Sequence, residues 1–234
     1  MQTVNVNRRT EQYDVAFAMK PWQIFLKRGF DIIGGIVGFV LSSPFLICSA
    51  IALKIQGDGS IIYSQERIGK NGKPFVIYKF RSMRENAELD ENAEIDIEDD
   101  VKDTVQEETE KKENGTPRLA EPDDERLTPV GAFLRKHHLD ELPQFWNVIK
   151  GDMSLVGYRP ERQYFIDKIM QEDSRYRCLY QIRPGVTSEA TIYNGYTNNM
   201  EQMLERLNMD LRYLETASLW KDFIIMCKTF VAMV

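Results

Sequence analysis

Two adjacent carboxylates, Asp140 and Glu141, are the residues in this sequence best suited to chemistry. The pattern around them predicts a helix start, with Asp140 as the N-cap, Pro143 in the first turn and Gly151 at the helix end. A helix N-terminus stabilises negative charge, because its free amides and its dipole point towards it. The position therefore suits an ionised acid, a metal ion or a phosphoryl group, although an acidic cap is also an ordinary structural feature.

Four cations could accompany these carboxylates if the chemistry involves phosphate. Lys79 and Arg81 stand two residues apart in a predicted strand, so we expect both on one face of it. Arg159 and Arg183 each precede a proline, which stiffens the loop and suits a bidentate phosphate clamp. Each of the four, taken singly, is equally compatible with a solvated surface.

Familiar phosphate and nucleophile motifs do not occur in the sequence. It contains no Walker-type loop, no G-x-G-x-x-G and no G-x-S-x-G. We interpret His137 and His138 as surface or packing residues, because successive helical residues do not share a face and no further ligand has metal spacing.

Strands and helices that could position these residues are indicated by local patterns. Two strands are predicted at 61–68 and 74–81, joined by a turn containing Asn71-Gly72. Thr128-Pro129 predicts a helix start. Two apolar stripes with helical spacing are expected to be buried: Leu142, Phe145, Trp146 and Ile149, and then Met200, Met203, Leu204, Leu207, Leu211 and Leu214. The end, 219–234, is expected to pack on the core or to lie in a membrane interface.

An uncharged apolar segment, 32–53, is long enough to cross a bilayer as one helix. Pro44 removes a backbone donor in its middle, so we expect a kink at Ser43-Pro44, where serine hydroxyls can bond the freed carbonyls. Basic residues flank both ends. These features leave two alternatives open, a kinked span and a re-entrant hairpin with both ends in the cytosol.

Charge is distributed unevenly over the 234 residues, whose net charge is −6. This acidic balance argues against a dedicated nucleic-acid binder, whereas the net +3 of residues 1–54 suits a membrane surface. Residues 85–126 hold 18 acidic and five basic residues, which predicts a solvated, partly disordered insertion. Three widely spaced cysteines fit neither a disulfide framework nor a zinc site, so we infer a reducing compartment.

An ordered set of motifs between residues 20 and about 190 resembles the bacterial sugar transferase family, the small monotopic phosphoglycosyl transferases that act on polyprenyl phosphate. The motifs, in chain order, are Lys27-Arg28-Gly29-Phe30-Asp31, Ser43-Pro44-Phe45, Gln65-Glu66-Arg67-Ile68-Gly69, Lys79-Phe80-Arg81-Ser82-Met83, Arg126-Leu127-Thr128-Pro129-Val130-Gly131, Leu139-Asp140-Glu141-Leu142-Pro143-Gln144, Asn147-Val148-Ile149-Lys150-Gly151-Asp152-Met153-Ser154-Leu155-Val156-Gly157, Arg159-Pro160-Glu161 and Arg183-Pro184-Gly185-Val186-Thr187.

The resemblance implies a covalent reaction at Asp140 and Glu141. In this family the aspartate attacks the β-phosphorus of a UDP-sugar, UMP leaves, and polyprenyl phosphate (undecaprenyl phosphate) then accepts the sugar phosphate. Mg²⁺ is the usual cofactor, and we expect Asp140 and Glu141 to hold it. Lys79, Arg81, Arg159 and Arg183 are the expected binding residues for the diphosphate.

The resemblance also implies an architecture and a location. The expected fold class is α/β and mostly helical, with a basic N-terminus and re-entrant helix-break-helix at 1–58 and a catalytic domain at 59–234. That domain should contain a small β-hairpin and amphipathic interfacial helices. Because nucleotide sugars are cytosolic, we expect the cytosolic face of the bacterial inner membrane, which favours the hairpin.

Two other functions stay open at this point. One is a catalytically idle membrane adaptor of polysaccharide assembly, and the other is a non-membrane nucleotide-sugar enzyme with a buried apolar helix. The expected partners of the enzyme are a UDP-sugar, polyprenyl phosphate and membrane lipid, and a homodimer is left open. The residues do not identify the hexose.

Overall fold

The computed structural model describes residues 15–57, 59–84, 126–194 and 199–233. The protein is mostly helical with a small β-hairpin, as predicted, and it has a second small sheet that was not predicted. The predicted insertion at 85–126 lies outside these residues except for Arg126. The helices are α1 (Pro21–Gln56), α2 (Pro129–Lys136), α3 (Gln144–Lys150), α4 (Gln163–Glu172), α5 (Glu189–Asn194), α6 (Met200–Thr216) and α7 (Leu219–Met233), and the strands are β1 (Ile62–Ile68), β2 (Pro74–Phe80), β3 (Ser154–Val156) and β4 (Gly185–Thr187).

Helix α1 runs without interruption through the predicted break at Ser43-Pro44. Proline lacks only one backbone donor, so a helix can continue past it when its neighbours satisfy the freed carbonyls. Pro44 leaves the carbonyl of Val40 without its helical donor, and one residue earlier Ser42 Oγ donates to the carbonyl oxygen of Phe39 (3.2 Å). The prediction of two separate helices is therefore replaced by one helix with an internal proline, and a bend at Ser43-Pro44 stays a prediction.

The burial pattern of α1 is the reverse of that of a helix in a soluble protein. Its buried residues are mostly polar or small: Asp31, Gly35, Ser42, Ser49 and Leu53. Its large apolar side chains face outwards, among them Phe25, Ile33, Val40, Leu41, Phe45 and Ile55. Only 17% of its most apolar stretch is buried, which argues against a buried core helix. Such an outward apolar surface is expected of a helix in contact with lipid.

Polar contacts attach the N-terminal half of α1 to the rest of the protein. Asp31 is 4% exposed and accepts hydrogen bonds from Ser154 Oγ (2.8 Å) and from the backbone N–H of Leu155 (3.0 Å). Lys27 Nζ lies 2.6 Å from Asp222 Oδ2 of α7. These contacts fix α1 against both β3 and α7.

Strands β1 and β2 form the predicted antiparallel hairpin, with Gln65 paired to Ile77. Its tight turn contains Asn71 and Gly72, both with positive φ (61° and 66°), a conformation that this residue pair adopts readily. Residues two apart in a strand share a face, so Ile77 and Lys79 lie on the same side of β2, where Ile77 is buried and Lys79 pairs with Glu141.

The helix start at Thr128-Pro129 is confirmed, because Thr128 Oγ1 accepts a hydrogen bond from Gly131 N (3.0 Å). The predicted N-cap at Asp140 is wrong. A 3₁₀ turn at Leu139–Glu141 comes first, and α3 begins only at Gln144. A 3₁₀ turn is right-handed like an α-helix. The residue types of a helix start therefore occur here, although Asp140 is not the N-cap. The predicted end at Gly151 is confirmed by its positive φ of 105°.

The predicted buried stripe of α3 is confirmed only in part, because Leu142, Phe145 and Ile149 are half-buried and Trp146 is not. Gln144, Asn147 and Val148 are the buried residues of this helix, whereas Trp146 is 50% exposed. The apolar stripe instead faces α1, where Phe39 and Trp146 have ring centroids 6.5 Å apart. Burial of polar side chains is favourable here because Asn147 bonds backbone groups of β2.

The main core lies between the second small sheet and the C-terminal helices. Strands β3 and β4 are parallel, and the core packs α4, α6 and a 3₁₀ segment, Ser174–Gln181, together. The predicted stripe of α6 is confirmed, since Met203, Leu207, Leu211 and Leu214 are buried and Met200 and Leu204 pack against them. Helix α7 packs on the core through the buried Ile225, whereas Trp220, Phe223 and Phe230 are exposed, and a position in a membrane interface stays a prediction.

Replacing Asn147 with alanine is expected to destabilise the protein. Asn147 is fully buried, accepts from the N–H of Tyr78 (3.1 Å) and donates to the carbonyl oxygen of Val76 (2.7 Å). Each backbone group left unpaired should cost about 1–3 kcal/mol. Thermal unfolding in detergent measures the effect, and Lys150→Ala, an exposed site on the same helix, is the control. Equal losses of stability in Asn147→Ala and Lys150→Ala would contradict the role given to the hydrogen bonds of Asn147.

Stability should also depend on pH through Asp210, which lies on α6 and is 4% exposed. Burial raises its pKa from 3.8 to about 8. Between these values the folded protein keeps a proton that the unfolded chain releases, so the free energy of unfolding falls as pH rises, by at most about 1.4 kcal/mol per pH unit. Denaturant unfolding at pH 5 to 8 should show the stability of Asp210→Asn increasing relative to the natural protein as pH rises. A difference that is constant over this pH range would refute the prediction.

Candidate functional site

The two carboxylates lie in the 3₁₀ turn between α2 and α3. Leu139 packs against the small apolar cluster of Leu53, Phe80 and Leu134, which anchors the start of the turn. His138 precedes the turn with a positive φ of 54°, which reverses the chain after α2. Asp140 becomes buried (7% exposed), while Glu141 is partly exposed. The turn therefore holds two acids side by side in different environments.

Glu141 is the carboxylate that binds neighbouring cations. Its Oε1 lies 2.6 Å from Lys79 Nζ and 3.8 Å from Arg159 Nη1. Lys79 comes from β2, and Arg159 from the loop after β3, so three separate segments meet at one carboxylate. Two cations offset the negative charge of this carboxylate, which makes it possible for an anionic ligand to approach.

The environments move the pKa values of the two acids in opposite directions. Burial, and then the charge of Glu141, raises the pKa of Asp140 to about 6, and Lys79 opposes this rise. Burial alone would also raise the pKa of Glu141, but the charges of Lys79 and Arg159 outweigh it and lower the pKa to about 2. A pair of acids separated in this way is typical of functional sites.

The other two predicted cations are held by different partners. Arg81 Nη2 donates to Ser60 Oγ (2.7 Å), just beyond the end of β2. Arg183 Nε donates to the carbonyl oxygen of Gly151 (2.7 Å) at the end of α3. The structure thus brings Lys79 and Arg159 to Glu141, whereas Arg81 contacts Ser60 and Arg183 contacts the end of α3. Binding of a diphosphate by any of the four stays a prediction.

Two basic residues near the acids were not selected from the sequence. Charges on Arg135 and on His138 lower the pKa of Asp140, and that of His138 also lowers the pKa of Glu141. His138 had been interpreted as a surface or packing residue, and it is indeed exposed. In the sequence, only its position two residues before Asp140 indicates that His138 could lie near the acids. That position becomes informative only when the chain reversal at His138 is known.

A preassembled metal cage is absent from the described residues, which contain no group of three or more His, Cys, Asp or Glu side chains able to hold a metal ion. Asp140 and Glu141 provide two carboxylates and leave the remaining positions to other ligands. Mg²⁺ commonly binds one or two protein carboxylates together with water and substrate phosphates. The donor set therefore fits a Mg²⁺ ion that is shared with a phosphate ligand.

Comparison with known proteins identifies the family of this chain. Residues 22–234 match the family model described as bacterial sugar transferase. The chain is 35% identical over 209 residues to UDP-N-acetylgalactosamine-undecaprenyl-phosphate N-acetylgalactosaminephosphotransferase of Aeromonas hydrophila, covering 89% of this chain and 44% of that protein. It is also similar to two proteins named UDP-glucose:undecaprenyl-phosphate glucose-1-phosphate transferase, from Escherichia coli K12 (35% identity, 88% of this chain, 40% of that protein) and Caulobacter vibrioides (34%, 87% and 67%).

The chain spans less than half the length of the first two relatives, and about two thirds of the third. The shared part includes the outward-facing apolar helix, the hairpin that carries Lys79 and the turn that carries Asp140 and Glu141. Because the family match extends over nearly all of the described residues, the chain belongs to the bacterial sugar transferase family.

Proposed function

We propose that this protein transfers a sugar 1-phosphate from a UDP-sugar to polyprenyl phosphate and releases UMP, as the first membrane step in assembling a surface glycan. The observation that carries the proposal is the buried Asp140 beside a Glu141 that is already neutralised by two cations. Relatives named as undecaprenyl-phosphate sugar phosphotransferases support the same donor and acceptor classes.

The proposed reaction has two displacements. In the first, a carboxylate oxygen of Asp140 attacks the β-phosphorus of the UDP-sugar, the bond from that phosphorus to the bridging oxygen breaks, and UMP departs with the electron pair. In the second, a phosphate oxygen of polyprenyl phosphate attacks the same phosphorus and the aspartate is released. Polyprenyl diphosphate sugar is the product, and the enzyme regains its carboxylate.

Lys79 and Arg159 have a clear electrostatic role in this scheme. An ionised nucleophile and a diphosphate repel each other, and nearby cations reduce the repulsion in the low dielectric of a partly buried site. Glu141 holds both cations before the substrate arrives, and the charge of Lys79 also acts on Asp140. Glu141 therefore acts by positioning, and it also supplies a carboxylate to Mg²⁺.

Mg²⁺ would be held by Asp140 and Glu141 together with the diphosphate. When bound, the ion neutralises phosphate charge and polarises the phosphoryl oxygens. Asp140 and Glu141 would offer the ion two carboxylates adjacent in the chain, and the diphosphate and water would supply its remaining oxygen ligands.

The proposed location is the cytosolic face of the inner membrane, with both ends of α1 on that side. Lys27 near one end contacts Asp222, and at the other end Gln56 Oε1 accepts a hydrogen bond from the N–H of Val130 (3.0 Å). Both partners belong to the same folded unit. A helix crossing a hydrocarbon core of about 30 Å would place its ends on opposite sides, so these contacts favour a re-entrant arrangement.

Replacing Asp140 with asparagine is expected to abolish UMP release, by about 1,000-fold or more, because the nucleophile is lost. Glu141→Gln should also reduce turnover strongly, and the double variant should lose little beyond the single variants because the two groups act as a unit. UMP is measured over a panel of UDP-sugars with polyprenyl phosphate, with and without Mg²⁺. Asp167→Asn, an exposed acid on α4, is the control.

The covalent intermediate gives a second readout of the same proposal. A UDP-sugar labelled at the β-phosphate should label the natural protein without acceptor and should not label Asp140→Asn. Near-normal turnover in Asp140→Asn, or turnover only in a ternary complex with no labelled protein, would show that the covalent assignment is wrong. Absence of UMP release from every UDP-sugar would instead favour the catalytically idle adaptor.

Topology can be tested by cysteine labelling in spheroplasts. Single cysteines are introduced as Lys20→Cys and Lys73→Cys, two exposed positions on either side of α1, after Cys48, Cys178 and Cys227 are replaced. Both should react with a membrane-impermeant maleimide only after permeabilisation, because both sides are cytosolic in the re-entrant arrangement. Reaction of either one in intact spheroplasts would mean that α1 spans the membrane.

A further inference from the structure

The segment Arg159-Pro160-Glu161 is held on one side by β1. Arg67 Nη1 donates to the carbonyl oxygen of Pro160 (3.2 Å) and lies 3.5 Å from Glu161 Oε2. The backbone N–H of Ile68 donates to the carbonyl oxygen of Glu161 (3.3 Å). The hairpin that provides Lys79 therefore also orients the segment that provides Arg159.

On the other side the segment is held by α6. Arg206 Nη1 lies 3.0 Å from Glu161 Oε1, and both side chains are largely buried, at 9% and 14% exposure. Asp210, one turn further along α6, has a pKa of about 8 because of burial, so it is mainly protonated at neutral pH. Glu161 is then the charged partner of Arg206, and removing either one leaves the other buried without it.

Packing is incomplete next to Arg159. A cavity of about 10 Å³ is bordered by Arg159, Glu161, Tyr176 and Arg206. The hydroxyl of Tyr176 has no hydrogen-bond partner among the described residues. Because close packing does not surround Arg159 here, the placement of its side chain depends on the polar contacts of its own segment.

We propose that Arg206 and Glu161 are positioning residues, which act together to hold Arg159 against Glu141. The inference rests on the proposed function for its activity readout, and extends it to α6, which carries none of the site residues predicted from the sequence. Loss of the contact between Arg206 and Glu161 should displace Arg159 and lower kcat/KM about 10- to 100-fold, because misplacement by about 1 Å can cost that much.

The test is a double-mutant cycle on kcat/KM for UMP release, using the UDP-sugar that gives the highest rate. Arg206→Gln and Arg159→Gln are measured singly and together. If Arg206 acts through Arg159, Arg206→Gln should change kcat/KM less than threefold in the Arg159→Gln background. Independent losses that multiply in the double variant would overturn the proposal.

Arg175→Gln is the matched control, because Arg175 Nη2 also ties α6 to a neighbouring segment, through Asn208 Oδ1 (3.1 Å), and pairs with Asp173 (2.6 Å). It should leave kcat/KM within twofold. Glu161→Gln should reproduce the loss in Arg206→Gln and the same non-additivity with Arg159→Gln. If Arg206→Gln does not fold, Arg206→Lys, which keeps the charge and loses the planar fork, carries the cycle instead.

Hydrogen–deuterium exchange separates this inference from the proposed function, because it needs no activity. Amides at 66–69 and 158–162 should exchange faster in Arg206→Gln and in Glu161→Gln than in Arg175→Gln. Unchanged exchange together with unchanged kcat/KM would overturn the positioning role. Faster exchange in a protein whose natural form releases no UMP would support the contact and reject the proposed reaction.

Discussion

The ion pair between Lys79 and Glu141, with Nζ and Oε1 2.6 Å apart, is the contact on which the arrangement of the site depends. It joins the β-hairpin to the turn that carries both carboxylates. The hairpin register decides which face of β2 presents Lys79, and Asn147 holds β2 against α3 immediately after that turn. Hairpin, turn and helix are thus fixed relative to one another by the ion pair of Lys79 with Glu141 and by the two hydrogen bonds of Asn147.

Helix α1 poses a different physical problem, because its large apolar side chains face away from the protein. The hydrophobic effect then holds this helix onto the rest of the chain less than it holds α6, through its contact with α3 and through the buried Leu53. Buried polar contacts add to this attachment, through Asp31 with Ser154 and through Lys27 with Asp222. Desolvation makes each contact costly to break once formed, since one partner alone would remain buried without its charge or hydrogen bond. Specific polar contacts can therefore fix the angle of a helix whose outer surface suits lipid.

Features set by neighbouring residues could be predicted from the sequence. The hairpin needed only two strand patterns around Asn71-Gly72, and the start of α2 only Thr128-Pro129. Features set by distant contacts could not. The stripe with Trp146 faces α1 rather than the core, and Arg183 bonds the end of α3, because partners far away in sequence decide both placements. The cap predicted at Asp140 failed for a related reason: the composition of a helix start fits a 3₁₀ turn equally well, and the backbone reversal at His138 selects that turn.

The difference in pKa between Asp140 and Glu141 then follows from their positions in the turn. Both are carboxylates in one turn, yet Lys79 and Arg159 bind Glu141 directly, whereas Asp140 is buried beside a negative neighbour. A carboxylate held by two cations is stabilised as an anion and is correspondingly less nucleophilic. The other, with its pKa raised to about 6, is still mainly ionised at neutral pH but is less well stabilised. In the proposed reaction this makes Asp140 the stronger nucleophile of the two, and it leaves Glu141 to hold Lys79 and Arg159 in the site.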